Sequence, residues 1–582
     1  MIIDIPVFKG MAPGIGQHLL PEGWAVVAEN VRLERGEIHP RAALALESTA
    51  VGNIGSMLFF EEGWVTYTDA GRRFVRSPAT TDPQRLYMTR FAGGARIRAA
   101  SNEYDMGVLE PTATPAGSSS GGTGSTQTRV YVFTCVNSLG EEGPPSPASA
   151  EITSNEIGAT VDLTNLNTPD ESATDHAPIA AKRIYRTAVG ASGSVEYMYV
   201  DEILETATTY SDTKDDDALG EILPSIGWRK PPSDLMGLTS LPGGILGGFS
   251  GRQVRLSEPF YYHAWPDAYS HEIDFDIVSV ESSGRTLYIF TTGPVYQMTV
   301  NDPASAVPEQ LPGMTPCTYG AAVWKTTYGV VFASTDGLYL ISPGRAAPTR
   351  MTASLYDETA WQEYKASSFF GAWYGGHLYV AYEKHAGEQG VLIVTGLGGE
   401  TPLLTTSDEV INAISANDDD GSLYVAKGTG LYKWEGNALL SMVGRWRSKE
   451  YVSLEPCNFA AAIIEADFTI AVQLQEVFSL VLAANEGVTG GGLGEGMVSE
   501  YPFANDAFGV LVLHYLPENN TPGGVIFRLY GDGELKHETT AFSSVPFTLP
   551  GEFQARRWFI EVEATTTIKR VAVAESIGEI YT

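Results

Sequence analysis

The residues of this chain that could do chemistry begin with Ser250, in Gly248-Phe-Ser250-Gly251. A nucleophilic serine on a strand-turn-helix elbow wants Gly-x-Ser-x-Gly, because small flanking residues let the chain turn sharply under the hydroxyl. Arg252 stands where the last glycine belongs, so Ser250 is not expected to be a nucleophile. The nine histidines contain no His-Glu-x-x-His and no His-x-His, the spacings that turn two imidazoles toward one metal. His263, close to Trp265, is expected to pack in a turn. The acid runs Asn417-Asp-Asp-Asp420 and Asp215-Asp-Asp217 suggest calcium, but neither has the ligand alternation and distant glutamate of an EF-hand loop. Solvated loops are expected there. Gly14 and Gly16 form a Gly-x-Gly with no strand before it and no helix pattern with a third glycine after it, which excludes a phosphate loop.

Paired carboxylates for glycoside hydrolysis remain open, since 70 acids bring some pairs within the required few ångströms by chance. Tyr261, Tyr262, Trp265, Tyr269, Trp361 and Trp373 suit sugar stacking and blade cores equally. No catalytic, cofactor-binding or metal-ligating residue is assigned, and no cofactor is expected.

Charge narrows the partners. With 37 basic residues against 70 acidic ones, the net charge is −33, which opposes a surface that clamps phosphates and so argues against tight nucleic-acid binding. Cys135, Cys317 and Cys457 are odd in number and far apart; they give neither a disulfide framework nor a zinc spacing, and point to a reducing birthplace. No apolar run approaches the roughly 20 residues that span a bilayer, and the N-terminus lacks the pattern of a classical signal. A chain that is neither secreted by such a signal nor embedded in a membrane is expected.

The elements that must position these residues are read from a repeated phrase. In Gly284-Arg-Thr-Leu-Tyr-Ile-Phe-Thr-Thr-Gly293-Pro-Val-Tyr296 an apolar run of period two meets a glycine turn and a second apolar run, the signature of a β-hairpin. It recurs around Gly337, Gly390 and Gly430, with an upstream copy at Gly251, so the turn glycines advance by 42, 44, 53 and 40 residues. One four-stranded propeller blade consumes roughly 40 to 50 residues. The expected class is therefore all-β, with a β-propeller core; a plain antiparallel β protein is the alternative.

Along the chain, residues 1–50 are expected to form an extended N-terminal arm and first strands, and residues 51–110 a first blade. Residues 111–128, which include Thr114-Pro-Ala-Gly-Ser-Ser-Ser-Gly-Gly-Thr-Gly-Ser-Thr, read as a flexible linker. Short alternating strands over 129–225 indicate an inserted fibronectin- or immunoglobulin-like β-sandwich. Further blades fill 226–444, and a C-terminal β-sandwich fills 445–582, interrupted by the glycine-rich loop 487–496.

The string Ser257-Glu-Pro-Phe-Tyr-Tyr-His-Ala-Trp-Pro-Asp-Ala-Tyr269, with Ile277-Val-Ser-Val, Thr292-Gly-Pro-Val-Tyr296, Asp302-Pro-Ala-Ser305, Cys317 and Ala333-Ser-Thr-Asp-Gly-Leu338, resembles the tail nozzle or tail tubular proteins of short-tailed bacteriophages. The stretch Leu20-Pro-Glu-Gly-Trp-Ala, residues 131–147 with Arg183-Ile-Tyr-Arg186, Trp446-Arg-Ser-Lys449, and Phe547-Thr-Leu-Pro through Ala574-Glu-Ser576 fit the same family in order. The resemblance implies a non-enzymatic virion protein, made in the host bacterial cytoplasm. It implies a ring, typically of six copies, below the portal and adaptor, with tail fibres or spikes as neighbours and double-stranded DNA passing through without sequence-specific binding. A channel that must not grip its cargo agrees with the acidic composition. Gly117 to Gly124 and Gly487 to Gly496 are the two candidates for a movable gate, the second preferred. The rival reading is a carbohydrate-binding or carbohydrate-degrading tail protein, such as a tailspike or receptor binder.

Overall fold

The computed structural model describes residues 2–77, 85–90, 94–172, 174–189, 195–345, 347–397, 402–468, 524–551 and 553–580. They form an all-β protein with a propeller-type core of four-stranded antiparallel sheets, an inserted sandwich and a C-terminal sandwich. Two compact units divide the chain, residues 55–350 and residues 1–54 with 351–582.

The first unit opens with a hairpin, Ser56–Phe60 and Gly63–Tyr67, and a four-stranded meander from Arg73–Arg76 to Asn102–Asp105. Three more meanders follow the sandwich, starting at Met236–Leu241, Ile277–Ser283 and Val323–Thr326. The first strand of each lies beside the first strand of the next, and Met236–Leu241 also lies beside Arg73–Arg76. Apolar residues on the facing surfaces interlock between successive meanders: Phe249, Val254, Leu287, Ile289 and Met298 in one layer, Phe290, Val295, Val330, Phe332 and Ile341 in the next. The alternation in Leu287-Tyr-Ile-Phe290 sends neighbouring side chains into these two different layers, as the two-residue period of a strand requires.

The turn glycines behave mostly as the repeat predicts. Gly251 (φ 58°) and Gly284 (φ 58°) occupy left-handed turns between paired strands. Two expected turn glycines lie in strands instead: Gly390 inside Gln389–Thr395, with the turn at Gly387 (φ 89°), and Gly430 at the start of Gly430–Ser441, with the turn at Gly428 (φ 59°).

The inserted sandwich pairs three strands, Ala116–Arg129, Ile152–Thr164 and Tyr210–Asp212, with four, Tyr131–Asn137, Glu142–Pro145, Ile179–Val189 and Val195–Leu204. Its core holds Tyr131, Phe133, Cys135, Val161, Leu163, Leu166, Ile184 and Val200. The expected linker 111–128 is a correction, because most of it is the first of these strands, bonded in register from Ala116↔Thr164 to Arg129↔Ile152. Pairing with a long neighbour needs backbone groups, not side chains, and here the glycine grants close approach. A Cβ on Gly117 would come within 2.9 Å of the Ile152 and Leu163 side chains. The gate candidate Gly117 to Gly124 is thus paired strand, with a register shift after Thr123; Gly487 to Gly496 lies outside the described residues.

In the second unit, the meander from Phe370–Tyr374 to Leu403–Ser407 continues into a larger sheet with Ala25–Glu29, Gly444–Ser448, Ala555–Ala564, Val525–Gly531 and Glu534–Ala541. A further four-stranded sheet, Ala413–Asn417, Ser422–Lys427 and Gly430–Ser441, takes its last strand, Ala42–Thr49, from the N-terminal region. The N-terminal arm is extended yet anchored. Ile2–Ile5 pairs with Ile568–Ala574, Phe8 meets Trp446 edge to face at 4.9 Å, and the Trp446 indole donates to the Lys9 carbonyl at 3.1 Å.

Candidate functional site

Within the 55–350 unit, a cleft of ≈ 670 Å³ opens where the sandwich meets the loop between Gln253–Leu256 and Ser270–Glu272. The strand Arg85–Thr89 contributes Arg85 and Tyr87, the turn after Asn137 contributes Glu141 and Glu142, and the sandwich strands contribute Arg183, Tyr185, Tyr199 and Glu202. Trp228 and residues 260–263 close the opposite wall.

The two adjacent glutamates are saturated. Glu142 Oε1 accepts from Thr134 and Tyr185, each at 2.7 Å, and Oε2 accepts from Arg183 at 2.7 Å. Glu141 Oε1 accepts from Arg85 at 3.0 Å and Oε2 from Asn137 at 2.9 Å. Burial, and then the neighbouring Glu142, holds the Tyr185 phenol far above its ordinary range. Burial also pulls on the Arg183 guanidinium, but hydrogen bonds to Glu202 and Glu142 outweigh it and keep the charge in place. Each of the four carboxylate oxygens thus accepts at least one hydrogen bond. The pair ties the turn to Arg85 on one side and to the sandwich strands on the other.

His263 is buried, at 6% exposure. Its Nε2–H donates to the Glu142 backbone carbonyl at 2.9 Å, and its ring meets Trp228 edge to face at 5.6 Å. Burial pushes the imidazole below its ordinary value, the charge of Glu141 opposing only in part. The expected packing role is what the geometry describes. Trp265, beside it, is buried with its indole donating to the Tyr262 carbonyl.

The other residues singled out in the sequence scatter. Ser250 Oγ donates to Asp234 at 2.7 Å. Asp216 pairs with Arg186 at 2.7 Å, Asp215 accepts from the Gly158 amide, and Asp420 accepts from the Tyr424 hydroxyl and the Ser422 amide. Among the described residues no group of three or more His, Cys, Asp or Glu could hold a metal ion. Gly14 meets the Tyr356–Asp357 backbone so closely that a Cβ would lie 2.2 Å from the Asp357 nitrogen. Trp361 is core and Trp373 half-buried. Burial and hydrogen bonding to Glu258 push the Tyr269 phenol up to about 12. Of the aromatics, Tyr261 and Tyr262 line the cleft.

Phe260, absent from the expectations, lines it too, 67% exposed and at φ 66°. The signal was present in sequence. Pro259 before it sets the second position of a turn in which the Tyr261 amide donates to the Glu258 carbonyl at 3.2 Å, and the third position of such a turn, at positive φ, ordinarily takes glycine.

No protein-family model matches the sequence, and no curated protein matches it. Among solved structures, the chain is similar to a glutaminyl cyclase of Myxococcus xanthus, at 14% identity and a TM-score of 0.20, covering 34% of this chain and 88% of the other. It is similar to the BBS1N protein solved in complex with ARL6DN, at 8% identity and a TM-score of 0.28, covering 68% and 97%. Sqt1 of Saccharomyces cerevisiae gives 8% identity and a TM-score of 0.25, covering 70% and 98%.

Proposed function

We propose that the protein is a structural subunit of a bacteriophage tail, which assembles with copies of itself, six in the family it resembles, into the distal nozzle through which double-stranded DNA leaves. Its neighbours would be the head-to-tail adaptor or portal and the tail fibres or spikes. The observation that carries the reading is the use made of residues 257–269, a string that resembles that family. Those residues serve as a joint: the Trp265 amide donates to the Arg229 carbonyl at 2.8 Å, the Glu258 amide to the Ala264 carbonyl at 2.9 Å, and His263 to Glu142 in the sandwich. A string spent on fixing a sandwich to a blade suits a subunit that transmits force better than one that turns over substrate. The net charge of −33 adds to it, since an acidic lumen repels phosphates.

Cryo-electron microscopy of virions encoding the chain is the test. A ring of this fold at the distal end of the tail is expected, and particles with complete tails that lack the protein would overturn the reading.

A further inference from the structure

Phe260 occupies a backbone conformation that a bulky side chain rarely adopts. In the Glu258-Pro-Phe260-Tyr261 turn, glycine would satisfy the geometry without strain. Such strain persists where surrounding structure imposes it, and it gathers at ligand sites. Core packing does not explain the choice, because the ring is 67% exposed and lies across Gly244, where a Cβ would come within 2.5 Å of it. The turn therefore holds an aromatic ring at the rim of the cleft. Tyr261, 46% exposed, stands beside it with its ring 4.7 Å from that of Trp228.

The polar groups of the cleft add a second, independent observation. Arg183 and Glu202, joined at 2.8 Å, set a fixed donor beside a fixed acceptor. The lining holds four glutamates, 141, 142, 202 and 221, against two arginines, 85 and 183, with His263 neutral; this acidic balance repels anions.

We infer that the cleft is a binding site for a neutral oligosaccharide, with pyranose rings stacked on Phe260 and Tyr261 and their hydroxyls bonded to Arg183 and Glu202. Exposed aromatic faces receive the apolar face of a sugar ring, and a few placed polar groups fix its orientation, as small-ligand clefts of this volume do. The site stands apart from the nozzle reading, because a structural subunit and an enzyme could each carry it.

The test titrates the full-length chain with cellotriose, maltotriose and chitotriose, followed by ligand-observed NMR and calorimetry, for the wild type, Phe260→Gly and Tyr261→Ala. At least one trisaccharide should bind. Each substitution should weaken it about tenfold or more, the usual cost of truncating a contact aromatic, while Phe260→Gly leaves the melting temperature unchanged or higher because the turn is relieved. Absence of binding by all three sugars overturns the inference, as does binding that both variants retain. A Phe260→Gly protein that melts lower would make Phe260 a packing residue. One that loses self-association without any sugar effect would make the rim a subunit contact. Either result overturns the inference.

Discussion

The Nε2 atom of His263 lies 2.9 Å from the backbone carbonyl oxygen of Glu142, 121 residues earlier in the chain. The bond fixes the tautomer, since a carbonyl only accepts and Nε2 must carry the hydrogen. It also joins the loop of a blade to a turn of the inserted sandwich. The other ring nitrogen stands 3.9 Å from Glu141 Oε1.

The first prediction concerns acid. The folded-state pKa of His263 is lowered from its ordinary 6.5, chiefly by burial. Below 6.5 the unfolded chain therefore takes up a proton that the folded chain refuses, so stability is full above 6.5 and declines as pH falls toward the depressed value. His263→Gln keeps a donor for the Glu142 carbonyl but cannot titrate. Between pH 7 and pH 5 the wild-type melting temperature should fall more steeply than that of the variant. His377 and His537, whose pKa values are also lowered, are common to both proteins and cancel. Parallel slopes would show that the proton comes from elsewhere.

Glu561 is the second subject. At 1% exposure it faces Arg528 Nη1 at 2.9 Å, Arg445 Nη2 at 3.1 Å and Arg447 Nε at 3.9 Å. Glu561→Ala removes the buried acceptor, but Arg528 keeps Glu538 and Glu563 and Arg445 keeps Glu563, and all three arginines are partly exposed, so the cost should be about 1–3 kcal/mol. Arg447→Ala should cost about 1 kcal/mol: its ion pair with Glu561, at 3.9 Å, sits at the edge of the network, and the loss is mainly its contact with the rings of Tyr530 and Phe559. Hydrogen exchange of the strand Ala555–Ala564 reads the difference directly. Protection there that survives Glu561→Ala would remove the network from the account of stability.

A third prediction follows from the strand that replaces the expected linker. A fragment of residues 108–224 contains Val108 and all seven described strands of the sandwich and should melt cooperatively. A fragment of residues 129–224 lacks all but the last residue of Ala116–Arg129, exposes one edge of Ile152–Thr164, and should melt at least several degrees lower. Equal melting temperatures would mean that the strand is only appended to the domain.

The class of the fold was legible because strand alternation and turn chemistry are local. In Leu287-Tyr-Ile-Phe290 four apolar residues in a row mark a strand buried on both faces, and Gly251 and Gly284 stand where a hairpin must pass through positive φ. Partnership was not legible. Nothing in Ala42–Thr49 names Gly430–Ser441 as its neighbour, and the glycines and serines of Ala116–Arg129 look like coil until a thirteen-residue strand, Ile152–Thr164, lies alongside. The cleft is of the same kind: Glu142, Arg183, Trp228 and Phe260 are distant in sequence, and each is unremarkable alone. Alternation decides which face of a strand seeks burial at the cost of a few neighbours, whereas the choice of partner is set by the backbone bonds and apolar area that the whole assembly can satisfy at once, which exist only after the chain has closed on itself.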